Sequence, residues 1–100
     1  MTSILVHGAI RLREGEVERV RTLARAFVDE VHRESGCVAY ELSWDNADPH
    51  VLRLLEEWES ADAYEVHRAQ PHVARWGATM LEVQDSPMVA AKFIATSYVS

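Results

Sequence analysis

Histidine is the side chain best suited to moving a proton near neutral pH, because its unperturbed pKa is about 6.5. The chain holds five, and two sit where a general base would be useful. His67 lies in a segment that reads as a short helix. His7 lies in the middle of an otherwise apolar, strand-like run. Trp58, Tyr64, Tyr40 and Trp76 could line a cavity, offering ring faces to a planar ligand and one N–H or O–H donor each. Glu57 could orient a histidine, and His72, beside Pro71, stands near the same segment. Each of these also has an ordinary structural reading: a satisfied interior histidine, a core tryptophan, a packed tyrosine, an ion-paired glutamate. His32 and His50 read as surface residues.

Other chemistries find little support. His67 and His72 would point about 140° apart on one continuous helix. Zinc sites favour i, i+4 spacing, and no Cys-x-x-Cys accompanies the pair. Gly8, Gly15, Gly36 and Gly77 are isolated, so no phosphate-cradling loop is present, and there is no Gly-x-Ser-x-Gly elbow. Neither a metal nor a flavin or nicotinamide cofactor is expected.

Ten Lys and Arg stand against sixteen Asp and Glu, a formal charge of −6. A nucleic-acid partner would need a basic face, so none is expected. With 48% hydrophobic and 26% charged residues, the chain has globular composition, and its length fits one domain over residues 1–100. Cys37 has no partner for an internal disulfide. A reducing cytoplasmic setting follows as the expectation, with Cys37 a small buried residue and no nearby cation to activate it. The first residues lack a signal-peptide pattern. No apolar run approaches about 18 residues, so no membrane span is expected.

The elements that must position these residues follow from periodicity. Residues 3–12 alternate as a strand, with Ile4, Val6, Gly8, Ile10 and Leu12 on its apolar side. Over residues 14–35 the apolar positions, among them Val20, Phe27 and Val31, recur at three- and four-residue steps. That predicts an amphipathic helix stopped by Gly36. Residues 37–45 alternate again, placing Val38, Tyr40, Leu42 and Trp44 on one face. A short loop leads to an antiparallel strand over 51–59. Ser60 is a good N-cap for a helix over 61–69. Pro71 restarts the helix, and Ser86-Pro87 ends it. Residues 88–99 form a last strand, with Met88, Ala90, Ile94 and Tyr98 on one face and Val89, Ala91, Phe93, Ala95 and Val99 on the other. The β-α-β-β-α-β order predicts an α+β, ferredoxin-like, four-stranded antiparallel sheet with helices on one face. Both faces of the last strand are largely apolar and the helices cover one, so a homodimer packed sheet to sheet is expected.

Two stretches carry a family resemblance. Glu34-Ser35-Gly36-Cys37-Val38-Ala39-Tyr40-Glu41-Leu42 resembles the E-x-G-C-x-x-Y-E-L entry to the second strand of antibiotic biosynthesis monooxygenase (ABM) domains. Leu55-Glu56-Glu57-Trp58-Glu59-Ser60, followed by Ala63, His67 and Pro71-His72, resembles their E-x-W-x-S-x-x-A-x-x-x-H segment and the helix after it. The resemblance spans nearly the whole chain and implies a dimeric α+β barrel. Members include cofactor-free quinol and anthrone monooxygenases, haem-degrading enzymes and an isomerase acting on a phosphorylated quorum signal. Haem-degrading members have an Asn, a Trp and a His at positions held here by His7, His67 and Gly77, so haem degradation is not implied. The quinol-oxidising and isomerising members are similar to this chain in having His at the His67 position.

The resemblance thus implies a cofactor-independent monooxygenase acting with dioxygen on a quinol, anthrone or similar polycyclic phenolic compound. His67 and His7 would be catalytic. Trp58, Tyr64, Tyr40, Trp76, Glu57 and His72 would surround the substrate. Such chemistry asks the protein for a dry apolar cavity, a base, and donors for a developing oxyanion. The same pocket would also suit a non-catalytic binder of a small aromatic metabolite, or an isomerase.

Overall fold

A computed structural model describes residues 2–98. Its elements are β1 (Thr2–Arg11), α1 (Val17–His32), β2 (Cys37–Trp44), β3 (Val51–Trp58), α2 (Ala61–Arg68), α3 (Pro71–Val83) and β4 (Val89–Thr96). The strands form one sheet in the order β2-β3-β1-β4, with every pairing antiparallel. This is the expected ferredoxin-like α+β topology, with its second helix in two pieces.

Two boundaries and one face differ notably from the periodicity. The helix expected over 14–35 is shorter, because Glu14-Gly15 form a turn and Gly15 takes φ +88°. The last strand, expected over 88–99, runs over Val89–Thr96. Tyr98 lies beyond it, fully open to solvent, and Val99 lies outside the described residues. Val38 does not share the face of Tyr40, Leu42 and Trp44. The register shifts between Cys37, opposite Trp58, and Ala39, opposite Glu57. One extra residue in the strand turns a side chain out of the alternation, and Val38 is 57% exposed.

Alternation assigns the remaining faces. Ile4, Val6, Gly8 and Ile10 of β1 stand opposite Trp58, Glu56, Leu54 and Leu52 of β3 on the helix-covered side. There the core forms two clusters. One gathers Ile10, Leu12, Val20, Leu52 and Val83. The other gathers Phe27, Val31, Tyr40 and Trp58. Leu42 and Trp76 pack against both. On the opposite face Leu55, Val89 and Phe93 are substantially exposed, and among the described residues no helix covers them.

Ser60 caps α2 as expected, its Oγ accepting the Ala63 N–H at 3.1 Å. Gly36 turns the chain from the end of α1 into β2 at φ +83°. A Cβ at Gly36 would lie 2.6 Å from the Ala63 Cβ and 3.1 Å from the Glu59 Cγ. Gly36→Ala is therefore expected to destabilise the fold by at least about 1 kcal/mol, from the left-handed backbone alone. Gly77→Ala, in α3 with nothing within 4 Å, should instead stabilise by about 0.5–1 kcal/mol. Urea unfolding of the two variants checks both signs.

Candidate active site

β3 builds one wall of the site. Its period of two puts Glu56 on the same side as Leu52, Leu54 and Trp58, so a carboxylate enters the apolar layer. Glu56 is 5% exposed and Trp58 is fully buried. The indole N–H of Trp58 donates to Glu56 Oε1 at 2.7 Å. A second carboxylate arrives from the turn after α1. Glu34 Oε2 lies 2.9 Å from His67 Nδ1 and 2.8 Å from His72 Nε2.

The two histidines converge because the helix is broken between them. Gln70 is extended at φ −72°, ψ 142°, and Pro71 opens α3. A residue before proline is disfavoured in the helical region, and proline has no N–H to continue the ladder. The wide separation expected on one continuous helix therefore does not apply. His67 on α2 and His72 on α3 reach the same oxygen from two elements.

A carboxylate oxygen can only accept, so both ring nitrogens facing Glu34 donate. His67 then carries its proton on Nδ1. Its Nε2 lies 3.8 Å from Glu56 Oε1. Burial pushes the Glu56 carboxyl above its ordinary range, and the Glu34 charge adds to that rise. The Trp58 hydrogen bond and His67 act against it. Burial, with the charges of Glu56 and Glu34, pushes the Tyr40 hydroxyl far up. Tyr40 therefore presents a neutral O–H, a donor rather than a base. Burial also raises the Cys37 thiol, in keeping with an unreactive residue.

Tyr40, Glu56 and His67 edge a cavity of about 500 Å³ between the sheet and the helices. Tyr40, Glu56, Tyr64, His67, Arg68 and Gln84 are its polar lining residues. Phe27, Leu42, Leu54, Trp76, Met80 and Met88 supply much of its apolar wall. Phe27 and Trp76 are stacked, with centroids 4.5 Å apart and planes 2° from parallel.

Of the residues singled out in the sequence, His67, Tyr40, Tyr64 and Trp76 line this cavity together. Trp58 stands behind His67, with ring centroids 4.4 Å apart. His72 lines a separate outer cleft and meets the site through Glu34. His7 and Glu57 belong to the other face of the sheet. His7 is exposed and stacks on Phe93 at 5.6 Å. Val6 and Ile10 point toward the helices, so residue 7 must point away. Glu57 faces away for the same reason, opposite Leu5 and Ala39. The carboxylates beside the histidine are Glu34 and Glu56. Glu56 was detectable as the one charge in the alternating series Leu52, Leu54, Glu56, Trp58. Glu34 carried no periodic signal, because it sits in a turn.

This is a ferredoxin-like α+β domain with an apolar, histidine-edged cavity under its helices, and comparison with known proteins places it more closely. A family model described as antibiotic biosynthesis monooxygenase matches residues 3–79. Rv0793 of Mycobacterium tuberculosis, provisionally named a monooxygenase, is 32% identical over 69 residues, covering 69% of this chain and 67% of that protein. The chain belongs to the antibiotic biosynthesis monooxygenase family. Solved structures share the fold across nearly its whole length. The Rv0793 structure superposes with a TM-score of 0.88 at 23% identity, covering 98% of this chain and 99% of that one. A conserved protein from Methanosarcina mazei Go1 gives 0.88 at 22% identity, covering 93% and 92%. A structure named antibiotic biosynthesis monooxygenase gives 0.83 at 24%, covering 97% and 100%.

The buried Glu56 makes stability depend on pH. Its folded-state pKa lies above the ordinary 4.5, so its support for the fold is complete below that value. That support is lost as pH rises through the raised value. Glu56→Gln keeps an oxygen for the Trp58 N–H and removes the titration. The melting temperature of Glu56→Gln relative to wild type is expected to climb by a few degrees as pH rises through that window, since about 1 kcal/mol moves the midpoint by about 4–8 °C in a domain this size. A difference that stays constant with pH would show that Glu56 titrates normally.

Proposed function

We propose that this protein is a cofactor-independent monooxygenase that oxidises a quinol, anthrone or similar polycyclic phenolic compound with dioxygen. The observation that carries the reading is His67, with Nδ1 engaged by Glu34, set into the wall of an apolar cavity large enough for a fused-ring ligand. The stacked Phe27–Trp76 pair would lie beside a planar substrate.

His67 Nε2 takes the acidic proton of the substrate as general base. The resulting phenolate or carbanion transfers an electron to dioxygen, and the two radicals combine as a peroxide. One oxygen remains on the substrate as a carbonyl. The other leaves as water with the two hydrogens the substrate lost. All electrons come from the substrate. The neutral Tyr40 O–H is placed to hydrogen-bond the negative oxygen that develops. Exclusion of water by the apolar wall strengthens that bond.

The same reading includes a homodimer joined through the open sheet face, which Leu55, Val89 and Phe93 support by their exposure. It also includes a cytoplasmic setting, in keeping with the lone Cys37. No helix among the described residues is long and apolar enough to cross a membrane.

Metal-free protein given a reduced naphthoquinol or an anthrone is expected to consume oxygen faster than autoxidation does. His67→Ala should slow that by at least about tenfold. Unchanged turnover in the variant would remove His67 from the chemistry. Tight binding of these compounds without oxygen uptake would make the protein a carrier, and rearrangement without uptake an isomerase. For the dimer, light scattering at micromolar protein should give twice the 11.3 kDa chain mass. A monomer mass would refute the sheet-to-sheet pairing.

A further inference from the structure

We propose that Glu34 and His72 are positioning residues for His67: the Glu34 carboxylate, braced by His72, holds the His67 proton on Nδ1 and so keeps Nε2 as the base on the cavity side. The proposal rests on the reading of His67 as the base, and its test separates the two.

The imidazole of His67 lies between two carboxylates, and a neutral ring has one proton to share between them. Glu34 Oε2 is 2.9 Å from Nδ1, within hydrogen-bond distance. Glu56 Oε1 is 3.8 Å from Nε2, beyond it. That Glu56 oxygen already accepts the Trp58 N–H at 2.7 Å. Glu56 is thus out of hydrogen-bond reach, and Glu34 is within it. The proton settles on Nδ1, and Nε2 keeps its lone pair.

The second histidine gives Glu34 a reason to stay in place. His67, Glu34 and His72 are all largely buried, with side chains 5%, 10% and 13% exposed. Both histidines donate to Oε2, while Oε1 is buried without a hydrogen-bond partner. A carboxylate with one bare oxygen depends on the donors it has, since burying charge without partners is unfavourable. Without His72 that charge would rest on a single donor and be free to turn toward the outer cleft, of about 320 Å³, which Glu34 and His72 line with Arg33.

The arrangement suits a histidine that first takes a proton and then returns it. Nε2 receives the substrate proton, and the imidazolium is held against Glu34. Nε2 then gives the proton to the departing oxygen as water forms. The proton stays on Nδ1, donated to Glu34, throughout, so the ring need not turn over between cycles. No electron passes through His67.

Nitrogen-15 NMR of the resting protein, which needs no substrate, reads the ring tautomer directly. In wild type His67 should carry its proton on Nδ1. Glu34→Leu, which has no acceptor, should move it wholly or partly to Nε2. Glu34→Gln, which keeps an acceptor, should leave it on Nδ1 and remains usable if the leucine variant does not fold. In oxygen uptake, His72→Ala should lower kcat at least about tenfold with little change in KM. Millimolar imidazole, entering from the outer cleft, should restore much of the loss. His50→Ala, remote from the site, should match wild type.

A wild-type proton on Nε2, or a tautomer indifferent to Glu34→Leu, overturns the role of Glu34. A kcat that His72→Ala leaves unchanged, or a loss that imidazole does not relieve, overturns the role of His72. Wild type that consumes no oxygen while the tautomer behaves as stated would instead discard the oxygenase reading and leave the hold of Glu34 on the tautomer standing. The same NMR reading of His72→Ala, a mixed tautomer expected and an unchanged one overturning, then decides the role of His72.

Discussion

Two carboxylates, Glu34 and Glu56, lie inside a domain with a small hydrophobic core, and the burial of that charge is the constraint to which the rest of the structure answers. Each is met by N–H donors, for Glu56 from its own strand and for Glu34 from other elements. Trp58 serves Glu56 from two residues along the same face of β3. His67 and His72 serve Glu34 from two helices. The break at Gln70–Pro71 allows both histidines to arrive, since an unbroken helix would carry one of them away. A backbone device and an electrostatic requirement thus coincide at one place.

The same constraint gives the cavity its polarity. Glu56 of β3 and Tyr64, His67 and Arg68 of α2 stand on one side of it, and much of the remaining wall is apolar. Leu42 and Trp76 touch both core clusters and join what would otherwise be two separate packing units. The half-open cavity of about 500 Å³ is lined by members of both clusters, Ile10 and Leu52 of one and Phe27 and Tyr40 of the other.

Much of this was legible in the residues. The order of elements, the antiparallel sheet, the Ser60 cap and the interruption at Pro71 all followed from periodicity and local stereochemistry. Side-chain chemistry pointed to Tyr40, Tyr64, His67 and Trp76 as cavity residues, and the packing of the elements brought them together. His7 and Glu57 have suitable chemistry, but strand alternation puts them on the face opposite Val6 and Glu56. Alternation in β2 predicts Val38 on the face of Tyr40, but a bulge, which leaves no mark in hydrophobicity, turns it outward. Glu34 had no pattern to reveal it, because a turn has no period.

What the sequence determined by itself is whatever depends on neighbours along the chain: which segments are strands, where helices begin and break, and which side chains share a face. What only the tertiary structure decided is which of those faces meet. Glu34 is 33 residues from His67 and 38 from His72, and no local preference acts over such spans. Contact between them arises when α1, α2 and α3 pack on one sheet, where a buried charge finds its donors. That pairing turns one histidine among five into a candidate base.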